Sequence, residues 1–501
     1  MPPHLPLDSL TVPVQMRTAS LSARALARFR AVILLVPPDI GSGWKKFPHA
    51  SLLAALHARK ARRTGDTLTA TLGDAATLLV IGYAGAESSM FQRLQLAQKC
   101  AKLALEAEPE RVLIAHLLPS AAAETAVLAA VAALEAGAFA LPAFKSKPRR
   151  GTRLKEIHVA QRLPTAKLTS TVACAAGNNL ARWLTALPPN ELDARGYRRH
   201  LQRFAAQFTL GLRFYSEADL KRLGAGAFLA VSQGNAGRDA GIARLSYRPR
   251  GARAPQLSLV GKGICFDTGG TNLKPHKSML DMHTDMEGSA VALGSLLALI
   301  RMDSPLAVDC WMAITENRIG PTAYKPQDVV RALNGTTIQV IHTDAEGRMV
   351  LADTLALAAR TKPAAIIDYA TLTGACVYAL TERYSGAFTN RMASRQAIET
   401  AGADSGERVW CFPMDEDFDT DIDSGVADVA QCAVEGKGDH ILAARFLNRF
   451  VPKQIPWLHL DLAAGHRHGG LGAIGTDITG FGVRFTLQLI QSGWPRTGRA
   501  S

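Results

Sequence analysis

Three short stretches concentrate the residue types able to do chemistry. They are Val260-Gly-Lys-Gly-Ile-Cys-Phe-Asp-Thr-Gly-Gly270 with Lys274-Pro275 soon after, Met282-His-Thr-Asp-Met-Glu287, and His342-Thr-Asp-Ala-Glu-Gly-Arg348. In the third, Asp344, Glu346 and Arg348 stand at alternate positions. Read as extended chain, that spacing points both carboxylates and the guanidinium one way. Two carboxylates converging on one spot repel unless something cationic sits between them. Asp267 and Asp285 are expected near other strand ends of the same sheet and add oxygens. Four carboxylates with no His or Cys among them suit hard or borderline cations such as Mn²⁺, Mg²⁺ or Zn²⁺. A carboxylate has two oxygens, so Asp267 or Glu346 is able to bridge two ions, and such a site polarises a carbonyl and generates hydroxide near neutral pH. Taken singly, each aspartate reads at least as well as a solvated turn former in a Gly-rich loop.

The elements that must position these groups are strands alternating with helices. Leu257–Val260, Ala307–Ile314, Thr337–Ile341, Ala364–Tyr369 and Trp457–Leu462 read as buried strands with helical stretches between them. That alternation implies a mainly parallel sheet covered on both faces, with ligands at the carboxyl ends of its strands. The first third repeats the pattern in miniature: strands at Ala31–Val36, Thr77–Gly82 and Arg111–Leu117, a helix at Phe91–Ala107 and an Ala-rich helix after it. Lys145–Arg153 is a polar Pro/Gly loop, and a connecting helix at Leu168–Leu187 stops at Pro188-Pro189. The expected fold is α/β. A basic N-terminal α/β domain spans 1–165, a connecting helix and linker 166–190, and a larger catalytic domain 191–501, with a mainly parallel central sheet flanked by helices.

At 501 residues and 48% hydrophobic, the chain buries a large core, which excludes disorder, collagen and disulfide miniproteins. No run of 18 apolar residues exists; the most apolar stretch, Thr125–Leu134, lies between Glu124 and Glu135 and reads as a buried helix, so no membrane association is expected. Seven scattered cysteines without a CxxC pair, and no secretory pattern at the N-terminus, suggest reduced thiols in the cytoplasm. Residues 1–165 carry 21 Lys and Arg against 11 Asp and Glu, which is +10 of the total +14. A basic surface of this kind attracts phosphate backbones, so DNA is an alternative partner; a solvated Arg-rich face is the plainer reading.

The three stretches resemble the leucyl aminopeptidase family (M17 peptidases, or cytosol aminopeptidases). Its Asn-Thr-Asp-Ala-Glu-Gly-Arg signature is similar to His342–Arg348, and its Gly-Lys-Gly…Phe-Asp-Ser-Gly-Gly segment to Gly261–Gly270. The likeness continues through Pro188–Glu191, Tyr324–Pro326, Ala352-Asp353, Thr371–Gly374 and Gly480–Gly482, covering about residues 170–490. The resemblance implies a metal-dependent aminopeptidase acting on peptides, with two divalent ions, Zn²⁺ or Mn²⁺. Lys262, Asp267, Asp285 and Glu346 would hold one ion, and Asp267, Asp344 and Glu346 the other. A lysine ligand must be neutral, which two nearby cations can enforce. Lys274 would act on the substrate carbonyl and the oxyanion, and Arg348 would hold a bicarbonate serving as general base. Met282, Thr371, Leu372 and Gly374 would bind substrate, with a preference for leucine-like N-terminal residues, and the assembly would be a homohexamer with the active sites facing an inner cavity.

Three departures stand against the pattern: His342 for the usual Asn, Glu287 for a small residue, and Ala464-Gly-His-Arg-His-Gly469 for Ala-Gly-Thr-Ala-Trp. His466 and His468 lack a third ligand and read as a polar loop. His283 beside Asp285 is either an orienting neighbour or a solvent-exposed helix start. Cys265 and Cys376 show no paired base and read as small core residues. Gly261-Lys-Gly263 lacks the flanking residues of a phosphate loop. Besides a nucleic-acid-binding protein working through its basic first third, a catalytically weak structural homologue is the remaining alternative; the intact acidic set argues against the latter.

Overall fold

The computed structural model describes residues 4–17, 21–73, 76–147, 152–252 and 254–495. A first sheet holds β1 (Val14–Met16), β2 (Ala31–Val36), β3 (Thr67–Leu72), β4 (Thr77–Tyr83), β5 (Arg111–His116) and β6 (Glu156–Val159), in the order β1-β6-β5-β2-β4-β3. β2 is apolar and buried throughout, as a strand covered on both faces must be. Its Ala31, Ile33 and Leu35 pack with helices Met90–Glu106 and Ser120–Ala138, while Val32, Leu34 and Val36 face Trp44 and Leu53 on the other side. The basic stretch Lys145–Arg153 lies in part outside the described residues.

Helix Thr165–Thr185 leads into the rest of the chain, starting three residues before the expected position. It crosses helix Glu287–Arg301 backbone to backbone. A Cβ at Gly177 would lie 2.2 Å from the Gly294 carbonyl oxygen, and one at Gly294 2.3 Å from that of Gly177. Only glycines permit this approach.

The strands beyond it are β7 (Gly211–Ser216), β8 (Gly241–Tyr247), β9 (Leu257–Asp267), β10 (Val308–Asn317), β11 (Val329–Arg331), β12 (Thr337–Gln339), β13 (Ala365–Ala370), β14 (Ser385–Thr389), β15 (Val409–Cys411), β16 (Val429–Ala430) and β17 (Trp457–Asp461). Eight form the central sheet in the order β15-β14-β17-β13-β9-β10-β8-β7. The inner four, β17, β13, β9 and β10, run parallel; β8 and β14 join them antiparallel at either side. Helices Thr165–Thr185, Glu287–Arg301 and Val483–Gln491 share an apolar cluster with one face, and helices Glu346–Ala359 and Asp439–Asn448 with the other. The chain is therefore α/β, a smaller N-terminal unit and a larger one on a mainly parallel sheet flanked by helices.

Two strands differ from expectation. β9 extends seven residues past Val260, to Asp267. Gly261, Lys262 and Gly263 interrupt the apolar run, yet the glycines are the contact surface for helix Glu287–Arg301: a Cβ on Gly261 would lie 2.4 Å from the Ser289 Cα. The segment Thr337–Ile341 is not part of the central sheet. β12 pairs with β11 and β16 in a separate three-stranded sheet and stops at Gln339, because the Ile341 and His342 amides donate to the Gln431 side chain instead of a strand.

Among the described residues, no helix is long and apolar enough to cross a membrane. The seven cysteines are free and buried. Glu135 joins helix Ser120–Ala138 to the N-terminal segment: its Oε2 accepts from the Val12 amide at 2.9 Å, while Oε1 is buried with no partner. Burial pushes this carboxyl up to about 8. A raised acid is protonated in the fold while the unfolded chain, near pKa 4.3, already ionises, so its contribution is lost as pH rises from about 4.3 to about 8. Glu135→Gln should therefore flatten that decline and exceed the parent in stability at pH 9 by on the order of 3 kcal/mol. Urea unfolding across pH measures it; an unchanged slope rejects the assignment.

Candidate active site

β9 presents Lys262 on the face opposite Gly261 and Gly263, and ends at Asp267. The Lys262 ammonium lies 2.8 Å from Asp285 Oδ1 and 3.0 Å from Glu346 Oε1, and it donates to the Thr371 carbonyl at 2.9 Å. Those partners come from the turn before helix Glu287–Arg301, the first position of helix Glu346–Ala359, and the residue after β13. Lys274 reaches Asp267 Oδ2 at 2.9 Å and Asp344 Oδ1 at 2.6 Å. Asp267, Asp344 and Glu346 each offer an oxygen within 4.8 Å of the others, the one such group of three or more among the described residues. Lys262, Lys274, Asp267, Asp285, Asp344 and Glu346 thus meet in one knot.

The backbone around the knot explains several residue types. Gly269 and Gly270 have φ of +86° and +65°, the left-handed region, and a Cβ on Gly269 would meet the Asn272 carbonyl at 2.4 Å. At Gly347 a Cβ would lie 2.7 Å from the Lys262 Cε and Nζ, so the signature glycine leaves room for the lysine tip. Asn317 and Asp461, not singled out from the sequence, complete the frame together with Tyr324 of the Tyr324–Pro326 stretch. Asn317, at the end of β10, donates to both Asp267 Oδ1 (2.8 Å) and the Thr343 carbonyl (3.0 Å), and Tyr324 donates to that carbonyl at 2.7 Å. Asp461, at the end of β17, accepts from the amides of Leu372 and Thr373 and from the Thr373 hydroxyl. The signal for both was available: each is a polar residue closing an apolar strand.

Among the other candidates, Thr371 donates to Asp285 Oδ1 at 2.8 Å, Leu372 follows it, and Gly374 opens helix Gly374–Leu380. Met282 lies half-buried in the turn three residues before Asp285. Arg348 departs from the expectation of a shared extended face. Residues 342–345 form a turn, Glu346 and Arg348 sit in the first helical turn, and 100° per residue sends their side chains apart. The Arg348 guanidinium turns to Asp439, its Nη2 donating to both carboxylate oxygens at 2.8 Å.

Electrostatically the knot is short of positive charge. Four carboxylates face two ammoniums, and Asp285 Oδ2 is buried with no partner. Burial, then the charges of Glu346 and Asp267, drives Asp285 well above the carboxylate range; burial, then the same neighbours, pushes Asp344 up to about 7. Burial opposes the charge on both lysines, but the carboxylates outweigh it and hold both above the ordinary lysine value. Hard oxygen donors, an unpartnered buried oxygen and a charge deficit fit divalent cations.

The departures also find places. His342 Nδ1 accepts from the Asp344 amide at 3.2 Å, the local turn bond that an Asn side chain makes. Glu287 is buried against Gly465, where a Cβ would lie 2.3 Å from its Oε2. His468 faces Asp477 in an exposed loop, and neither it nor His466 belongs to the acidic group. Asp285 is held by Thr371 and Lys262, and burial pushes the thiols of Cys265 and Cys376 up, as in core cysteines.

The model of the cytosol aminopeptidase family's catalytic domain matches residues 179–487. The chain belongs to the cytosol aminopeptidase family. A probable cytosol aminopeptidase of Synechococcus sp. (strain CC9311) is 37% identical over 380 residues, 74% of this chain and 76% of that protein. A mutant of tomato leucine aminopeptidase superposes with TM-score 0.85 at 26% identity over 96% of each chain. The bottromycin maturation enzyme BotP, in complex with Mn, superposes with TM-score 0.81 at 28% identity, over 92% of this chain and 99% of that one. Membership in this peptidase family makes the chain a hydrolase of the aminopeptidase type.

Gly347 tests the packing. An alanine early in a helix is ordinarily favourable to stability, but here the Cβ overlaps Lys262. Gly347→Ala should lose about 1–3 kcal/mol in denaturant unfolding. Gly425→Ala, whose Cβ meets nothing within 4 Å, serves as the control and should stay within about 0.5 kcal/mol. Equal effects would remove the claim that the glycine exists for the lysine.

Proposed function

We propose that this chain is a dinuclear metallo-aminopeptidase that releases N-terminal, leucine-like residues from peptides. The observation that carries the reading is the convergence of Asp267, Asp344 and Glu346 within 4.8 Å, with Asp285 and Lys262 against the same carboxylates. In this reading Lys262, Asp267, Asp285 and Glu346 would hold one ion and Asp267, Asp344 and Glu346 a second; when bound, the pair would supply Lewis acidity and an acidified water near neutral pH. BotP, solved in complex with Mn, supports a divalent ion of the Zn²⁺ or Mn²⁺ kind.

The chain's own residues do the rest. To serve as a ligand Lys262 would be neutral, a state that the positive charge of bound ions would favour over the present ammonium. Lys274 stays cationic. Once its carboxylate partners are taken by ions, it is the group left to stabilise negative charge on the substrate oxygen. Thr371 orients Asp285 through its hydroxyl and Lys262 through its carbonyl. Asp461 fixes the backbone of Leu372 and Thr373 just before Gly374. Met282, Thr371, Leu372 and Gly374 contact the substrate's first residue, and an apolar lining discriminates only weakly between aliphatic side chains. Arg348 already carries the Asp439 carboxylate, so bicarbonate has no part in this reading. A cytoplasmic homohexamer belongs to the same proposal. The family match and the acidic knot both lie outside the basic first third, so the nucleic-acid alternative draws nothing from either.

The test strips metal from the protein and assays aminoacyl chromogenic substrates before and after adding back Mn²⁺, Zn²⁺ or Co²⁺. Activity should appear only with metal, and Asp344→Ala or Glu346→Ala should abolish it. In the parent, saturating metal should also raise stability by about 2.7 kcal/mol at a hundred times its dissociation constant. Full turnover in a metal-free preparation would refute the mechanism.

A further inference from the structure

Arg348 is buried, and its surroundings are built. Nη2 donates to Asp439 Oδ1 and Oδ2 at 2.8 Å each, Nη1 donates to the Gln431 carbonyl at 3.3 Å, and Nε has no partner. Gln431 is itself locked: its Nε2 donates to the Ala345 carbonyl, and its Oε1 accepts from the amides of Ile341 and His342. One clamp therefore ties the guanidinium to the turn that carries Asp344 and to the helix that begins with Glu346. Asp439 is delivered by a turn whose Gly436 and Gly438 have φ of +68° and +63°, and its side chain remains 25% exposed. A carboxylate on a guanidinium two residues from the acidic cluster has the chemistry of the oxyanion that the family resemblance assigns to Arg348.

We propose that Asp439 is the built-in anion of Arg348 and closes this guanidinium to an external oxyanion of the bicarbonate class. The bicarbonate implied by the resemblance does not fit beside it. A second anion on the same guanidinium would sit against the Asp439 charge in a partly dry site, where like charges are screened little. A buried guanidinium with no counter-anion would be strongly disfavoured, so the internal carboxylate also explains how this arginine is buried without an added ion. Asp439 acts through Arg348 and is a positioning residue. The proposal rests on the aminopeptidase reading only for its kinetic arm.

The experiment uses the full chain and [¹³C]bicarbonate as the probe. In the metal-free protein, carbon-13 line broadening should show no specific binding to the parent and saturable binding to Asp439→Ala. Asp439→Asn, which keeps the shape and removes the charge, is measured in parallel and replaces Asp439→Ala if that variant fails to fold. Broadening by the parent that Arg348→Met abolishes, or no saturable binding to either Asp439 variant, overturns the proposal. In the kinetic arm, carried out in CO₂-free buffer with metal, the parent's rate should not respond to bicarbonate. Asp439→Ala should fall by about tenfold or more and recover several-fold when bicarbonate is added. A parent stimulated by bicarbonate, or a variant as fast as the parent without it, also overturns the proposal. If the parent shows no metal-dependent hydrolysis at all, the preceding reading fails, and the binding arm still decides this one.

Discussion

Mutual repulsion among buried carboxylates is the constraint that the site is organised around. With one oxygen from each acid within 4.8 Å of the others, each pair of charges opposes folding by at least about 3 kcal/mol at an effective dielectric near 20. Three such pairs amount to roughly 10 kcal/mol, the order of a whole domain's stability. A fold carrying Asp267, Asp344 and Glu346 at this spacing must hold cations among them or keep protons on them. Lys262 and Lys274 do the first in part, each spanning two carboxylates. The elevation of Asp344 and Asp285 shows the second at work in the remainder. The site is electrostatically unfinished by its own residues, and that deficit is what the proposed cations would fill.

Holding such groups together calls for rigid framing by elements far apart in sequence. β9 provides the axis because it is the strand that both faces can approach closely. Its glycines admit helix Glu287–Arg301, which brings Asp285 in from one side, and its lysine faces Gly347 on the other. The same helix is pressed onto Thr165–Thr185 through Gly177 and Gly294, so a displacement there would travel to Asp285 through packed backbone. Asn317, bonded to both Asp267 and the Thr343 carbonyl, ties β9 to the loop that emerges from a different sheet. That tie matters because Asp344 does not arrive on the central sheet at all.

Much of this was legible in the residues themselves. The apolar runs at Ala31–Val36, Ala364–Tyr369 and Trp457–Leu462 read as buried strands because most of their side chains serve packing, and β2, β13 and β17 lie there. Legibility failed where the local pattern serves the site. β9 looked four residues long because its glycines and lysine break the apolar run for the sake of helix contact and charge. Period-two alternation suggested one face for Asp344, Glu346 and Arg348, whereas a turn and a helix start bring the two carboxylates together and send the arginine elsewhere. Gln431 and Asp439 escaped notice for a different reason. Their roles depend on which strand ends and loops become neighbours, and one chain's spacing does not encode that.

One departure from the family pattern packs against a residue that keeps to it. Glu287 replaces a small residue at the start of its helix, and Gly465 lies in the altered loop after β17. A Cβ at 465 would overlap the Glu287 carboxylate at 2.3 Å, so the larger side chain at 287 fits only against the retained glycine. Burial pushes Glu287 up to about 8, against the backbone hydrogen bond from Gly480 that favours its charge. Its carboxyl is therefore mostly protonated near neutral pH, and it points at the loop. A charged fifth acid beside Asp285 would deepen the charge deficit; a protonated one does not. Glu287 acts as a volume element, anchoring the loop that carries His466 and His468, and the acidic cluster keeps its four members.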